Sequence, residues 1–507
     1  MNRKRHFKFG FTALGAVMVL LCGNLDVGGA TLALPGAAEL KAEGDLSEQM
    51  VAGMDRYLDR ATVAAVAARA QFWKRDFTSA AAYEASVAPN RARLRRILGA
   101  VDERINPVRL EYLSGPDQPA IVAESERVRV FAVRWTVFEG VTGEGLLIES
   151  KGKVLARIVA LPDADQPPEM LAGWAEEPGA WALKLAEAGC QVLVLTLLDR
   201  QCTLSGNPKI VMTDQTHREW VWRQAFDLGR HVIGFEVQKV AAAVDWLRSR
   251  DTPGGKALPL GVVGYGEGGL IALCAAALDM RIDAALVSGY FQPRETLWSE
   301  PIYRNVWSLL REFGDAEIAS LIAPRTLIVE HSMGPRVDGP PVEAGRRKAA
   351  APGTIKPPEL VAVCAEVERV RALVTPAKGP PLGSIELITG KDALAMGPGS
   401  DEACTALLKR LGVEGSMAVR KHAELKQLAA SDPTARQQRQ VTELVEHCQR
   451  LLRRSEEVRA EYWKAAVPKA AEQWPQVTQP LRDRLWNEVI GRLPDPSLPP
   501  NPRARKL

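Results

Sequence analysis

Histidine, paired cysteine and charge of one sign are all scarce in this sequence. The 507 residues include 6 histidines, His6, His217, His231, His331, His422 and His447. They form no HxH or HExxH set, which removes the commonest patterns that hold catalytic zinc. The 7 cysteines contain no CxxC pair, so neither a zinc finger nor a dense disulfide scaffold is encoded. Against 61 Asp+Glu stand 65 Lys+Arg, and the resulting +4 is too weak and too dispersed to specify nucleic acid or an anionic membrane as partner. The apolar run Phe11 to Leu21 falls well short of the roughly 20 residues that cross a bilayer.

What is present describes a folded body. Hydrophobic residues make up 46% and charged residues 25%, which excludes wholesale disorder, collagen and a polytopic membrane protein. The length predicts two structural units. Arg3, Lys4, Arg5 and Lys8 precede the Phe11–Leu21 run, and Gly28, Gly29 and Ala30 follow it. That order of charge, apolar core and small residues predicts a secretory signal over 1–30 and an exported protein, periplasmic or extracellular. Leu21 is bulky where a lipid-modified Cys22 would need a small neighbour. Of the other cysteines, Cys190 and Cys202 flank one strand pattern and are placed to pair in an oxidising compartment. The rest read as buried small hydrophobes.

The pattern then divides the chain. Residues 31–125 read as an N-terminal helical region, with apolar spacings of three and four in DRYLDRATVAAVAARAQFW and NRARLRRILGAV. Between Val128 and Ile148, β-branched and aromatic residues broken by Gly140, Gly143 and Gly145 predict antiparallel strands. Short apolar runs follow at 154–161, 191–197, 260–263, 284–288, 326–330 and 385–389, separated by helical patterns. This alternation predicts an α/β fold with a mostly parallel sheet covered on both faces, over 126–415. Residues 416–507 read as a helical extension ending in a proline-rich, linker-like tail.

The chemistry concentrates at Gly264-Tyr265-Gly266-Glu267-Gly268-Gly269, between a strand and a helix. Gly264, Gly266 and Gly269 satisfy the dinucleotide fingerprint literally. That fingerprint belongs in the first βα unit with an acid ending the next strand, and here several strands precede it and AALVSGYF carries no such acid. The alternative is a nucleophile elbow, a strained turn that lifts one side chain above the sheet.

The surrounding segments resemble bacterial α/β-hydrolases of the acetyl xylan esterase and dienelactone hydrolase kind. DTPGGKALPLGVVGYGEGGLIALCAAALDMRIDAALVSGYF is similar to their elbow strand, helix and next strand, and IASLIAPRTLIVEHS to the lead-in to their catalytic acid. The resemblance spans about Val128 to Val413. It implies the α/β-hydrolase fold, an eight-stranded sheet and ester chemistry. The nucleophile position it assigns is Gly266, which has no side chain to attack a carbonyl. The loop after the last strand, GKDALAMGPGSDEA, lacks the histidine base. Glu330 and Asp338 are the candidates for the acid. PDADQPP stands where relatives carry an oxyanion segment.

Loss at several roles together predicts a non-catalytic hydrolase domain that binds an ester or saccharide, or forms one half of a larger esterase with a second hydrolase domain or subunit. Tyr265, Glu267, His217 and Arg218 are the candidate binding residues. Cys274 reads as a core thiol, His331-Ser332 as a chance neighbour pair, and the tryptophans as packing. No cofactor and no metal is expected. Two alternatives stay open: an active carboxylic ester hydrolase on acetylated saccharides or small esters, and a dinucleotide-binding enzyme.

Overall fold

The computed structural model describes residues 36–116, 119–174, 179–205, 215–252, 254–339, 350–414, 425–467, 470–497 and 499–504. The proposed signal segment with Cys22, and His422, lie outside the described residues. The chain divides into two compact units, the described parts of 1–56 with 491–507, and 57–490. In the first, Ala38–Glu39 and Arg503–Ala504 pair as short parallel strands.

The second unit carries an eleven-stranded sheet. In chain order its strands are β1 Leu110–Tyr112, β2 Ile121–Glu124, β3 Val128–Phe138, β4 Val141–Ser150, β5 Ala156–Leu161 and β6 Cys190–Leu195. There follow β7 Leu260–Tyr265, β8 Ala284–Ser288, β9 Thr326–Glu330, β10 Ser384–Ile388 and β11 Lys426–Gln427. The order across the sheet is β10-β9-β8-β7-β5-β6-β4-β3-β2-β11, with β1 beside β3. From β6 to β10 all pairings are parallel; β3–β4 and β4–β6 are antiparallel. The hairpin β3–β4 turns at Gly140, at φ +67°, which a side chain rarely adopts.

Every residue of β5, β6 and β8 is buried, as continuous apolar runs covered on both faces should be. The longer helices, in chain order, are α1 Leu46–Ala68, α2 Ala80–Ile97, α3 Trp181–Glu187, α4 His217–Phe226, α5 Val232–Ser249, α6 Glu267–Leu278, α7 Asp315–Ser320, α8 Leu360–Val374, α9 Asp401–Arg410, α10 Pro433–Trp463 and α11 Trp474–Arg484. One core joins α2, α5, α6, α7 and α8 to one face, and a second joins α3 and α9 to the other. All of α6 is buried, consistent with a sequence apolar around its whole circumference.

The α/β class and its mostly parallel sheet are as the sequence predicts. Three details differ. The stretch read as wholly helical before residue 125 also holds β1 and β2, too short to show a period of two and held by pairing with β3. β11, in the stretch read as a helical extension, pairs with β2. α10 begins at Pro433, where Asp432 caps it by accepting the Ala435 N–H and proline suits the first turn. Cys190 and Cys202 are not bonded; all six described cysteines are free. Cys190 is buried at the start of β6, and burial pushes its thiol up to about 12. No described helix is long and apolar enough to cross a membrane.

Candidate functional site

The motif Gly264–Gly269 sits where β7 ends and α6 begins, at the middle of the sheet. Gly266 has φ +57° and ψ −117°, a strained turn that holds the next amide at the helix N-terminus. Gly264 and Gly268 serve packing: a Cβ on either would lie 2.0 Å from the Gly268 carbonyl oxygen and 2.3 Å from the Leu161 carbonyl oxygen respectively. From β3 onward the strand order is β3-β4-β6-β5-β7-β8-β9-β10, with the second strand antiparallel and the sharp turn after the fifth. The chain has the α/β-hydrolase fold.

In this fold the amide after the nucleophile and one from the loop after the third strand form the oxyanion hole. Those positions are Glu267 N–H and the loop following β5, which begins Pro162-Asp163. The Glu267 N–H donates to Asp163 Oδ1 at 2.8 Å. Asp163's own N–H is taken by Gln166 Oε1 at 3.2 Å. A Cβ added to Gly266 would lie 2.4 Å from Asp163 Oδ1 and 3.0 Å from Pro335 Cγ. At the turn position itself Gly266 carries no side chain, and the Asp163 carboxylate occupies the space that one would enter.

That carboxylate belongs to a buried ion network. Arg200 bonds Asp163 Oδ2 through Nη1 at 2.6 Å and Oδ1 through Nη2 at 3.1 Å, and reaches Glu267 Oε2 at 3.2 Å. Glu267 is fully buried and also takes Arg304 at 2.8 Å and Arg218 at 3.3 Å. Arg218 continues to both oxygens of Glu236, at 2.7 and 2.8 Å. Burial alone would raise the carboxyls of Asp163 and Glu267. Arg200 for the first, and Arg304, Arg218 and Arg200 for the second, outweigh it and hold both below the usual range. Both stay ionised, and neither is poised to move a proton near neutrality.

The structure brings Glu267 and Arg218 together as an ion pair inside this network. His217 adjoins them but is committed: its Nδ1 lies 2.5 Å from Asp199 Oδ1, and its Nε2 accepts the Leu204 N–H at 2.9 Å. A nitrogen that accepts an amide has no lone pair left for substrate. Tyr265 lies on the other side of the turn, donating to the Met333 carbonyl at 2.8 Å. Burial, then the nearby Asp163 charge, push its phenol up to about 12.

The two acid candidates part company. Glu330 spends both oxygens on the Gly399 and Ser400 amides, at 2.9 Å each, anchoring the loop that leads into α9. Asp338 is exposed, without a hydrogen bond or ion pair to any described residue. The Ser332 hydroxyl pairs with that of Ser288 at 2.8 Å. His447 packs against Phe138 and Phe235, with Nε2 3.5 Å from Asp102. The Cys274 thiol is buried within α6 and pushed up by that burial.

No cluster of three or more His, Cys, Asp or Glu able to hold a metal occurs among the described residues. At the glycine turn, the helix N-terminus that would face a pyrophosphate already carries the Asp163 carboxylate. Sequence reasoning missed Asp163, Arg200 and Arg304; the available signal was an acid directly after the strand that precedes the oxyanion loop.

No family model and no curated protein matches the chain. Solved structures similar to it include a glucuronoyl esterase from Solibacter usitatus, 14% identical, covering 66% of this chain and 94% of that one with a TM-score of 0.42. An acetyl xylan esterase from Paenibacillus sp. R4 is 15% identical, covering 68% and 97% with a TM-score of 0.37. Acetyl xylan esterase 1 from Thermoanaerobacterium is 12% identical, covering 64% and 93% with a TM-score of 0.36.

Proposed function

We propose that this esterase-related α/β-hydrolase is non-catalytic and acts by binding. The observation that carries the reading is the Asp163 carboxylate seated on the Glu267 amide beside Gly266. An oxyanion hole works by stabilising charge that develops in the transition state. Filled by a permanent carboxylate, it has nothing left to give a substrate carbonyl. The missing nucleophile and the absent histidine in the loop after β10 remove the covalent route as well.

The ligand class is an ester or saccharide, by the sequence resemblance. The partner is a catalytically complete hydrolase domain or subunit, and the basic and apolar N-terminal segment directs export. The purified chain is expected to leave a chromogenic acetyl ester at the rate of a heat-killed blank. Turnover that survives purification overturns the proposal. N-terminal sequencing of chain secreted by an expressing cell tests export: a start near residue 31 supports it, and a retained Met1 argues against it.

A further inference from the structure

A second region of the hydrolase unit has the character of a ligand site. A cavity of about 470 Å³ opens between α2, α5 and the C-terminal end of α6. It lies about 18 Å from the elbow, the length of the twelve-residue α6 at ~1.5 Å per residue. Its walls are mostly apolar, built from Val237, Val240, Leu278, Ile282, Ala92 and Ala241.

Four arginines border this apolar space: Arg91, Arg95, Arg104 and Arg281. Two have counter-ions. Arg104 and Arg281 reach Asp245 at 2.9 and 2.6 Å, and Arg281 also reaches Asp279 at 2.7 Å. The other two have none among the described residues. Arg91, only 7% exposed, gives Nε and Nη2 to the Ala277 and Leu321 carbonyls at 2.9 and 3.0 Å. Arg95 gives Nη2 to the Leu278 carbonyl at 3.2 Å. Arg91 Nη1 and Arg95 Nε and Nη1 have no described partner.

These two cations stand one turn apart on the same face of α2, where like charges repel. The negative end of the α6 dipole offsets part of that cost and accounts for the carbonyl contacts. It does not supply the carboxylate that a buried guanidinium ordinarily takes. Burial above all pulls the Arg91 pKa below its ordinary value, against the charge of Glu84, which forms no ion pair with it but acts to raise it; Arg95 adds a smaller push down.

We propose that this cavity binds a small monocarboxylate with an apolar body, its carboxylate on Arg91 and Arg95 and its body against the wall of α5 and α6. Guanidinium forks match a carboxylate in geometry and charge, and the apolar lining favours an organic acid over a strongly hydrated inorganic anion. The site is separate from the elbow, and its failure leaves the reading of the elbow untouched.

The test is calorimetric titration of the full chain with octanoate, with octanol and inorganic phosphate as comparisons. Octanoate is expected to bind, and octanol to bind at least about tenfold more weakly because it forfeits the charged contacts. Arg95→Met, at an exposed position that the fold tolerates, is expected to weaken octanoate at least about tenfold. Ala92→Phe, also exposed on α2, fills the cavity and abolishes binding while leaving Arg95 in place. No heat with octanoate at millimolar concentration, equal binding of octanol, tighter binding of phosphate, or an unchanged affinity in Arg95→Met each overturns the proposal.

Discussion

Restoring the missing nucleophile by Gly266→Ser is expected to fail, and the structure says by how much. The new Cβ enters a backbone conformation of φ +57° and ψ −117°, a strain of about 1–3 kcal/mol for a residue other than glycine. It also arrives 2.4 Å from Asp163 Oδ1, so the carboxylate must leave. Its departure breaks the 2.8 Å bond from the Glu267 amide, a charge-assisted contact whose loss costs roughly 1.5–3 kcal/mol. Together these predict a destabilisation of about 2.5–6 kcal/mol, read from denaturant midpoints, with no ester turnover above a blank. A double-mutant cycle isolates the clash. In an Asp163→Gly background the cost of Gly266→Ser should shrink to the backbone strain and the 3.0 Å approach to Pro335 Cγ, a coupling of at least about 1.5 kcal/mol. A Gly266→Ser protein as stable as the parent, an additive cycle, or acetyl ester hydrolysis by the single variant would refute the reasoning.

Other perturbations follow from the same geometry. Glu267→Gln keeps the shape but strips the shared counter-ion from Arg304, Arg218 and Arg200, and should cost about 3–5 kcal/mol in chemical unfolding. Because the Glu267 and Asp163 carboxyls are held low, their stabilisation is complete above the ordinary carboxylate range and is lost only as pH falls through their depressed values. The parent should therefore lose stability steeply below about pH 4, and Glu267→Gln less steeply. His231 caps α5 by accepting the Ile233 N–H on Nδ1, and burial above all depresses its pKa to about 4, so between about pH 6.5 and 4 the unfolded chain takes up a proton that the native one refuses. Asp315, raised to about 7 by burial first and by the Glu366 charge, acts with opposite sign over most of that window: the native chain keeps a proton that the unfolded one releases. Their opposition predicts that Asp315→Asn makes stability rise with pH across 4–6.5 by up to about 1.4 kcal/mol per unit relative to the parent, and an unchanged slope would contradict it. Glu330→Gln should cost about 1–3 kcal/mol by weakening the charged anchor of the Gly399 and Ser400 amides, with no change in the rate on acetyl ester.

Much of the framework was legible because it is written locally. The apolar runs at 284–288 and 326–330 coincide with β8 and β9 residue for residue, and the glycine-rich turn was found from its strand and helix flanks. The missing serine could be read at Gly266 for the same reason. What occupies its place could not. Asp163 lies 104 residues from Glu267 in sequence, and Arg200 is 37 from Asp163, so their meeting depends on the order of strands rather than on any pattern within one. PDADQPP was legible only as the loss of an oxyanion segment, not as the source of an anion. His217 and Arg218 stood out as a basic cluster, but only the fold shows their atoms taken by Asp199, Leu204 and Glu236. Glu330 looked like an acid in waiting because its amide partners lie in a loop about 70 residues further on.

The Asp163 carboxylate is the same functional group that an ester hydrolase releases as product. Tethered to the loop after β5, it is present at its site at an effective concentration that no free acid in solution matches. Acetate or any other external carboxylate therefore competes at the elbow against a resident that never diffuses away. The same tether fixes the order in which such a site could be rebuilt. A serine gained at 266 before the acid is lost meets a steric and electrostatic penalty, while loss of the acid first takes from Arg200 its two-pronged partner and leaves it only Asp165 and Glu267 as counter-ions. Each single step runs uphill, so the packing of Gly266 and Asp163 holds the two positions together.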